Sequence, residues 1–150
     1  MDAHTEAWHR SKLTKALAAD PGVQSQRFED NFAAGIPDVF VSKGPQAFWI
    51  ETKHHVATKF GVILPASSLT GSQYAWLRRM NNNPIPCGVL VFMETGWIFC
   101  PIERVHDVLQ RFPGHYYADL IRPNCPRSFQ DLLDCYNDVL ASKEITEKMA

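Results

Sequence analysis

The most constraining feature of the sequence is a pair of short apolar segments separated by a turn. Residues 39–41 read Val-Phe-Val and residues 48–50 read Phe-Trp-Ile, and β-branched and aromatic residues of this kind favour strands. Gly44 and Pro45 lie midway between them, and this dipeptide is typical of turns. The pattern therefore predicts an antiparallel β-hairpin centred between Gly44 and Pro45.

This hairpin pairs two acidic residues. With the turn at that centre, Asp38 lies opposite Glu51, and like charges at facing positions are destabilising unless something compensates them. A divalent cation is one compensator, since Mg²⁺ is bound by one or two carboxylates together with water and phosphate oxygens. Lys53 lies two residues after Glu51 and therefore on the same strand face, where an ammonium could assist a metal-bound water or balance phosphate charge. The alternative is a plain salt bridge between Lys53 and either acid.

The rest of the chain predicts a mixed α/β or α+β fold. We find no internal repeat or linker and expect one domain over residues 1–150, with a core of about 5–100 and a helical extension of about 101–150. Residues 54–69 are expected to form a loop, with room for one small strand at the apolar patch 62–64, and residues 143–150 a frayed polar tail. Apolar spacing and turn residues predict helices over residues 5–19, 70–81, 102–111 and 128–142 and a second strand pair over 88–93 and 97–100.

Composition excludes several classes of protein. The 150 residues are 45% hydrophobic with a net charge of −1, which suits a globular chain with a real core and argues against binding nucleic acid by bulk charge. No apolar run reaches the length of a membrane span, and the first residues lack a signal-peptide pattern. We expect a soluble cytoplasmic protein, in the host cytoplasm if it is phage-encoded. The four cysteines form no CxxC pair and are expected to be buried and reduced.

Three motifs together resemble the PD-(D/E)xK nuclease superfamily. They are Asn-Phe-Ala-Ala-Gly-Ile-Pro-Asp-Val over residues 31–39, Phe-Trp-Ile-Glu-Thr-Lys over 48–53 and Gln-Tyr-Ala-Trp-Leu over 73–77. The resemblance covers roughly residues 5–95 and is nearest to the VRR-NUC branch and to phage-type Holliday junction resolvases. It implies a restriction-endonuclease-like αβββαβ core with extra C-terminal helices, including a strand around residues 26–32. It also implies hydrolysis of phosphodiester bonds with Mg²⁺ or Mn²⁺.

By position, the resemblance assigns roles to five residues. Asp38 and Glu51 match the metal-binding acids, and Lys53 matches the catalytic lysine. Gln73 matches a glutamine in the helix after the lysine strand, although Thr70 to Gln73 also fits a capping box in which Gln73 only returns to the main chain. Glu6 is the candidate for a further metal ligand from the first helix, and its alternative role is a solvated residue that favours the helix dipole.

Adjacent histidines suggest a zinc site, but His54 and His55 would point to opposite faces of a strand, so we expect one polar and one packing side chain. His4 and His9 are expected to be solvated. Residues 1–80 have a net charge of +2 and residues 81–150 of −3, which concentrates basic residues in the nuclease-like part. The alternative is scattered solvated charges. The candidate DNA-backbone contacts are Arg10, Lys12, Lys15, Lys43, Lys59, Arg78 and Arg79.

The function expected from the motifs and the resemblance is a Mg²⁺-dependent, structure-specific endonuclease that cleaves branched DNA. Cleavage of a junction needs two sites, so a homodimer is expected, with the C-terminal region as its interface. Two alternatives stay open: a nuclease that acts on linear or single-stranded DNA in repair, recombination or restriction, and a non-catalytic nucleic-acid-binding module that keeps the nuclease fold.

Overall fold

A computed structural model describes residues 6–28, 37–54, 70–81, 85–93, 96–105 and 120–142. The fold is mixed α+β, as predicted, and its first six elements follow the expected order αβββαβ. The helices are α1 (Glu6–Ala19), α2 (Gly71–Asn81) and α3 (Phe129–Leu140), and a 3₁₀ turn spans Ile102–Arg104. The strands are β1 (Val23–Arg27), β2 (Val39–Lys43), β3 (Gln46–His54), β4 (Cys87–Met93) and β5 (Gly96–Pro101).

The five strands form one sheet in the order β1-β2-β3-β4-β5. All neighbouring pairs are antiparallel except β3 and β4, which run parallel. A parallel pair needs a crossover connection, and α2 lies within the one that joins these strands. Every residue of β4 is buried, as expected for a strand that is covered on both faces of its sheet.

The predicted hairpin and its register are confirmed. Val39 pairs with Ile50 and Lys43 with Gln46 across β2 and β3. Gly44 takes a φ of 59° at the turn, a left-handed conformation that glycine adopts without steric cost. Continuing the register by one residue places Asp38 opposite Glu51, at the end of the hairpin away from the turn.

The first strand begins earlier than predicted. β1 covers Val23–Arg27 instead of lying around residues 26–32, and it pairs with β2 at the edge of the sheet. Four of its five residues are exposed, so the strand has no alternation of apolar and polar residues that the sequence could display. It follows directly on the turn that ends α1, where Gly22 has a φ of 82°. Residues 29–36 lie outside the described part.

The helices cover both faces of the sheet. Phe48 contacts the rings of Phe129 and Tyr136 of α3, whereas the next residue, Trp49, contacts Trp76 of α2. Successive side chains of a strand point to opposite faces, so α3 and α2 lie on opposite sides of the sheet. The ring of His9 contacts that of His54, which places α1 on the same side as α3. Thus β3 carries residues that face both layers.

The C-terminal elements pack on the core. The predicted helix over residues 102–111 begins as the 3₁₀ turn, and the residues after 105 lie outside the described part. The helix predicted over residues 128–142 is present as α3, whose N-terminus is capped by the Ser128 hydroxyl, an acceptor for the Asp131 N–H at 3.1 Å. No helix within the described ranges has the length and apolar character needed to cross a membrane.

Candidate active site

Glu51, Lys53 and Gln73 form a connected polar cluster between β3 and α2. Gln73 Nε2 donates to Glu51 Oε2 at 2.8 Å, and Lys53 Nζ donates to Gln73 Oε1 at 3.1 Å. Lys53 Nζ also lies 3.5 Å from Glu51 Oε2, and the Glu51 side chain is only 3% exposed. A buried carboxylate is costly unless it is paired and hydrogen-bonded, and here both compensations come from neighbouring residues. Strand periodicity correctly predicted that Glu51 and Lys53 share a face.

Gln73 forms the predicted capping box and also contacts Glu51 and Lys53. Its main-chain N–H donates to Thr70 Oγ1 at 3.1 Å, and its Oε1 accepts from the Thr70 N–H at 3.0 Å. These reciprocal bonds are a capping box at the start of α2. The same Oε1 accepts from Lys53 while Nε2 donates to Glu51. The cap therefore fixes the orientation of the amide group that contacts the two strand residues.

Asp38 lies at the same end of the hairpin with different partners. Its Oδ2 accepts from the main-chain N–H of Thr52 at 2.9 Å and from the Thr52 hydroxyl at 2.7 Å. Its Oδ1 lies 3.6 Å from a guanidinium nitrogen of Arg10 on α1. The side chain is partly exposed, at 18%. The facing strand positions thus hold two carboxylates, one contacting α2 and the other oriented toward α1.

Asp38 and Glu51 are residues of the type that binds a hard divalent cation, and at the end of the hairpin their carboxylates lie toward α1 and toward α2. Asp38 and Glu51 supply carboxylate oxygens, and Mg²⁺ commonly uses one or two carboxylates with water and substrate oxygens completing its shell. Within the described part of the chain, no group of three or more His, Cys, Asp or Glu residues is close enough to hold a metal ion. Glu6 is the first residue of α1, and its side chain lies outside the described part, so its assignment as a ligand stays a prediction.

The predicted DNA contacts occupy different environments. Arg10 lies in the site beside Asp38, and Lys43 forms an ion pair with Asp20 at 3.1 Å. The ammonium of Lys12 lies over the ring of Trp8, 4.8 Å from its centroid. Three further candidates are exposed: Lys15 on α1, and Arg78 and Arg79 at the end of α2. Lys59 lies outside the described ranges.

The expectation that His9 is solvated was wrong. His9 is only 9% exposed, and its ring stacks on Phe92 at a centroid distance of 4.6 Å and lies 5.0 Å from the ring of His54. The spacing of apolar residues on α1 did not reveal this burial because an imidazole with a stacking partner packs as an aromatic residue. His54 ends β3 and is half-buried, whereas His4 and His55 lie outside the described part.

Three of the four cysteines are buried, as predicted, and the fourth is half-buried. The buried residues are Cys87, Cys100 and Cys135, the half-buried one is Cys125, and none forms a disulfide. Burial raises the pKa of Cys87 to about 12 and also raises the pKa values of Cys125 and Cys135. Thiols with raised pKa values are poor nucleophiles and poor metal ligands at neutral pH. The chemistry of the site therefore belongs to the carboxylates and to Lys53.

Thr52 is the residue that sequence reasoning missed. It separates Glu51 from Lys53 and is completely buried, so strand periodicity places its side chain on the face away from theirs. Its contact with Asp38 depends on how the Asp38 side chain turns at the end of the hairpin, just before β2 begins. A hydroxyl residue directly between a candidate acid and lysine is the one signal that could have identified it.

Among solved structures, the chain is similar to Hjc, a Holliday junction resolvase from the archaeal hyperthermophile Archaeoglobus fulgidus. The identity is 18%, the TM-score is 0.42, and the match covers 62% of this chain and 70% of that chain. No protein-family model and no curated protein matches the sequence. A likeness of this size carries no argument about function, which therefore depends on the geometry of the site.

Proposed function

We propose that this chain is a metal-dependent endonuclease that hydrolyses phosphodiester bonds in DNA. The observation that carries the proposal is the buried carboxylate of Glu51, held by Gln73 and Lys53 at the end of β3 where Thr52 also binds the Asp38 side chain. A purely structural salt bridge needs no second acid at the facing strand position. Two acids at one end of a hairpin, with a lysine beside one of them, are the groups that Mg²⁺ or Mn²⁺ and a phosphate group would use together.

Each residue of the site has a defined part in this chemistry. Asp38 and Glu51, with Glu6 as a further candidate, would hold the cation through their carboxylate oxygens. A bound divalent cation supplies an activated water and stabilises the negative charge of the leaving oxygen. Lys53 can bind a phosphate oxygen or hold a proton on its Nζ, and Gln73 keeps that ammonium beside Glu51. The buried surroundings strengthen these interactions by lowering the local dielectric constant.

We also propose that the substrate is branched DNA, bound by a homodimer of this chain. The proposal of a junction substrate rests on the resemblance of the sequence motifs to phage-type Holliday junction resolvases. Exposed basic residues of α1 and α2 would contact the phosphate backbone, and such contacts position DNA without reading its sequence. Two copies would bring two sites to one junction, and the C-terminal region is the proposed interface.

The test is a cleavage assay with four DNA substrates: a four-way junction, a flap, a linear duplex and a single strand, each with Mg²⁺ and with chelator. We expect junction cleavage that requires Mg²⁺. Asp38→Asn, Glu51→Gln and Lys53→Met should each slow it by roughly 10²-fold or more, because each removes a charge that acts in the transition state. Light scattering on the same preparation measures the oligomeric state.

Asp134→Asn is the matched control, since this exposed carboxylate on α3 accepts a hydrogen bond from Gln130 and lies outside the site. It should leave cleavage unchanged. Cleavage that persists with chelator and in all three site variants would refute the proposed mechanism. Equal cleavage of linear and branched DNA would refute the junction substrate alone, and DNA binding without any cleavage would favour a non-catalytic module.

A further inference from the structure

We propose that Thr52 is a positioning residue that fixes the orientation of the Asp38 carboxylate and thereby prepares it to bind a divalent cation. The inference deepens the proposed nuclease function and rests on it. Thr52 is fully buried in β3, and both of its hydrogen-bond donors, the main-chain N–H and the hydroxyl, bind the same oxygen of Asp38.

The geometry divides the two oxygens of Asp38 between different tasks. Oδ2 is engaged at 2.7 Å by the Thr52 hydroxyl and at 2.9 Å by the Thr52 N–H. Oδ1 lies toward the partly exposed guanidinium of Arg10 at 3.6 Å, beyond the usual length of a hydrogen bond. Two donors on one oxygen hold the carboxylate in one orientation, with Oδ1 on the side where the positively charged guanidinium of Arg10 already lies.

The position of Thr52 in the sheet makes it a rigid support. The last described pair between β2 and β3 is Val39 with Ile50, so Thr52 lies beyond the paired part of the hairpin. The carboxylate of Asp38 accepts the hydrogen bond from the Thr52 N–H that no β2 residue accepts there. On its other side, Thr52 pairs with Leu90 of the buried strand β4. Partners that hydrogen-bond a ligating group from outside the metal shell set the orientation and the affinity of that group.

The experiment compares Thr52→Val, which keeps the shape of the side chain but loses the hydroxyl, with Thr52→Ser, which keeps the hydroxyl. Each protein is freed of metal with chelator and titrated with Mn²⁺, and the free ion is followed by its electron paramagnetic resonance signal. We expect Thr52→Val to weaken Mn²⁺ binding by about tenfold or more, and Thr52→Ser to bind with nearly the affinity of the unaltered protein. The Mg²⁺ concentration that gives half-maximal cleavage should shift in parallel.

Two controls separate positioning from folding. Thr14→Val removes a hydroxyl that donates to main-chain carbonyls within α1 and should leave Mn²⁺ binding unchanged. In an Asp38→Asn background, Thr52→Val should cause no additional loss, since the group that it orients is already altered. Thermal unfolding verifies that each variant is folded, and Thr52→Ala, which also lacks the hydroxyl, replaces Thr52→Val if that variant fails to fold.

The outcomes distinguish this inference from the proposed function. If the unaltered protein binds Mn²⁺ and cleaves DNA while the hydroxyl-free variants do so equally well, the role of Thr52 is refuted and the nuclease proposal stands. Failure of Thr52→Ser to restore binding in a folded protein also refutes it. If the unaltered protein neither binds Mn²⁺ nor cleaves DNA, both proposals fall together.

Discussion

At the scale of single residues, the two candidate acids are balanced by cations from different elements. Glu51 is paired with Lys53 of its own strand, whereas Asp38 lies beside Arg10 of α1. A guanidinium at 3.6 Å from Oδ1 and a divalent cation bound to the same carboxylate would repel each other. Binding of a cation should therefore push Arg10 away from Asp38, and under the proposed function the displaced guanidinium would contact a DNA phosphate.

This competition predicts opposite effects of Arg10→Gln on two ligands. Loss of the positive charge should tighten Mn²⁺ binding by about threefold to tenfold, a modest factor because the pair is partly exposed. The same change should weaken DNA binding. It should also reduce the slope of log affinity against log salt concentration by about one. Titration with Mn²⁺ and fluorescence anisotropy with labelled DNA at several salt concentrations measure the two effects.

Lys15→Gln is the control for that prediction, because Lys15 is an exposed residue of the same helix. It removes an equal charge and should leave Mn²⁺ affinity unchanged. Weaker Mn²⁺ binding by Arg10→Gln would contradict the competition and would mean that Arg10 organises the site instead.

The site residues show which contacts a sequence can predict. The register of β2 with β3 and the shared face of Glu51 and Lys53 follow from the turn and from the two-residue period of a strand, and both are local properties. Thr52 and His9 could not be predicted in this way. The first depends on the rotation of one carboxylate at the end of a strand, and the second depends on an aromatic ring supplied by β4.

At the scale of elements, Asp20 joins segments that are distant in sequence. Its Oδ2 accepts from the N–H of Phe129, the first residue of α3, at 2.8 Å, and its Oδ1 accepts from Lys43 at the end of β2. The Phe129 N–H bond, followed by the Lys43 ammonium, lowers the pKa of Asp20 below its ordinary value of 3.8. The Asp20 carboxylate therefore connects the end of α1 to the start of α3, where the helix dipole also favours a negative charge.

This contact predicts a pH-dependent stability. A carboxyl group with a lowered pKa binds its proton less tightly in the folded chain than in the unfolded chain, so it stabilises the fold above pH 3.8 and loses this effect as the pH falls further. Asp20→Asn should lower the unfolding midpoint at neutral pH, and its difference from the unaltered protein should shrink in acid. Thermal unfolding followed by circular dichroism at several pH values measures this difference.

Lys43→Gln provides the comparison for Asp20→Asn. Lys43 is largely exposed, and exposed ion pairs contribute little to stability, so this variant should change the midpoint less than Asp20→Asn does. A difference between Asp20→Asn and the unaltered protein that is the same at every pH would show that the charge of Asp20 is not what stabilises the contact.

The element that the sequence described least well is β1. Helix α2 buries one face, and the inner strands are short apolar runs, so both could be expected from the sequence. β1 lies at an edge with four exposed residues, and its pairing with β2 comes from main-chain hydrogen bonds that every residue type except proline can form. Its place could only be expected from the family resemblance, which set it a few residues too late.

At the scale of the whole molecule, one apolar cluster ties α1 and α3 to the sheet. Phe48 is 1% exposed and contacts the rings of Phe99 on β5 and Phe129 and Tyr136 on α3. The residues after the motif-bearing segment therefore help to cover the sheet that carries the site. Their contribution was not visible in the motifs, because the matched motifs end before β4.

Truncation of this central ring tests how far the parts depend on each other. Phe48→Ala should lower the free energy of unfolding by about 3–5 kcal/mol, since it removes a buried aromatic side chain and leaves a cavity. Phe40→Ala, at a half-buried position of β2, should lower the free energy of unfolding by clearly less than Phe48→Ala does. Urea unfolding followed by tryptophan fluorescence and by circular dichroism measures both variants. Equal losses in the two would contradict the central role of Phe48.

The parallel pairing of β3 with β4 has a consequence for how the protein matures. Gln73 reaches Glu51 and Lys53 from a helix in the crossover between those strands, so a chain that has formed only its local hairpins lacks that contact. Pairings between segments distant in sequence are the slow steps of folding. A chain that has just been synthesised would hold Glu51 without its glutamine partner, so under the proposed function we expect it to be inactive until the crossover has formed.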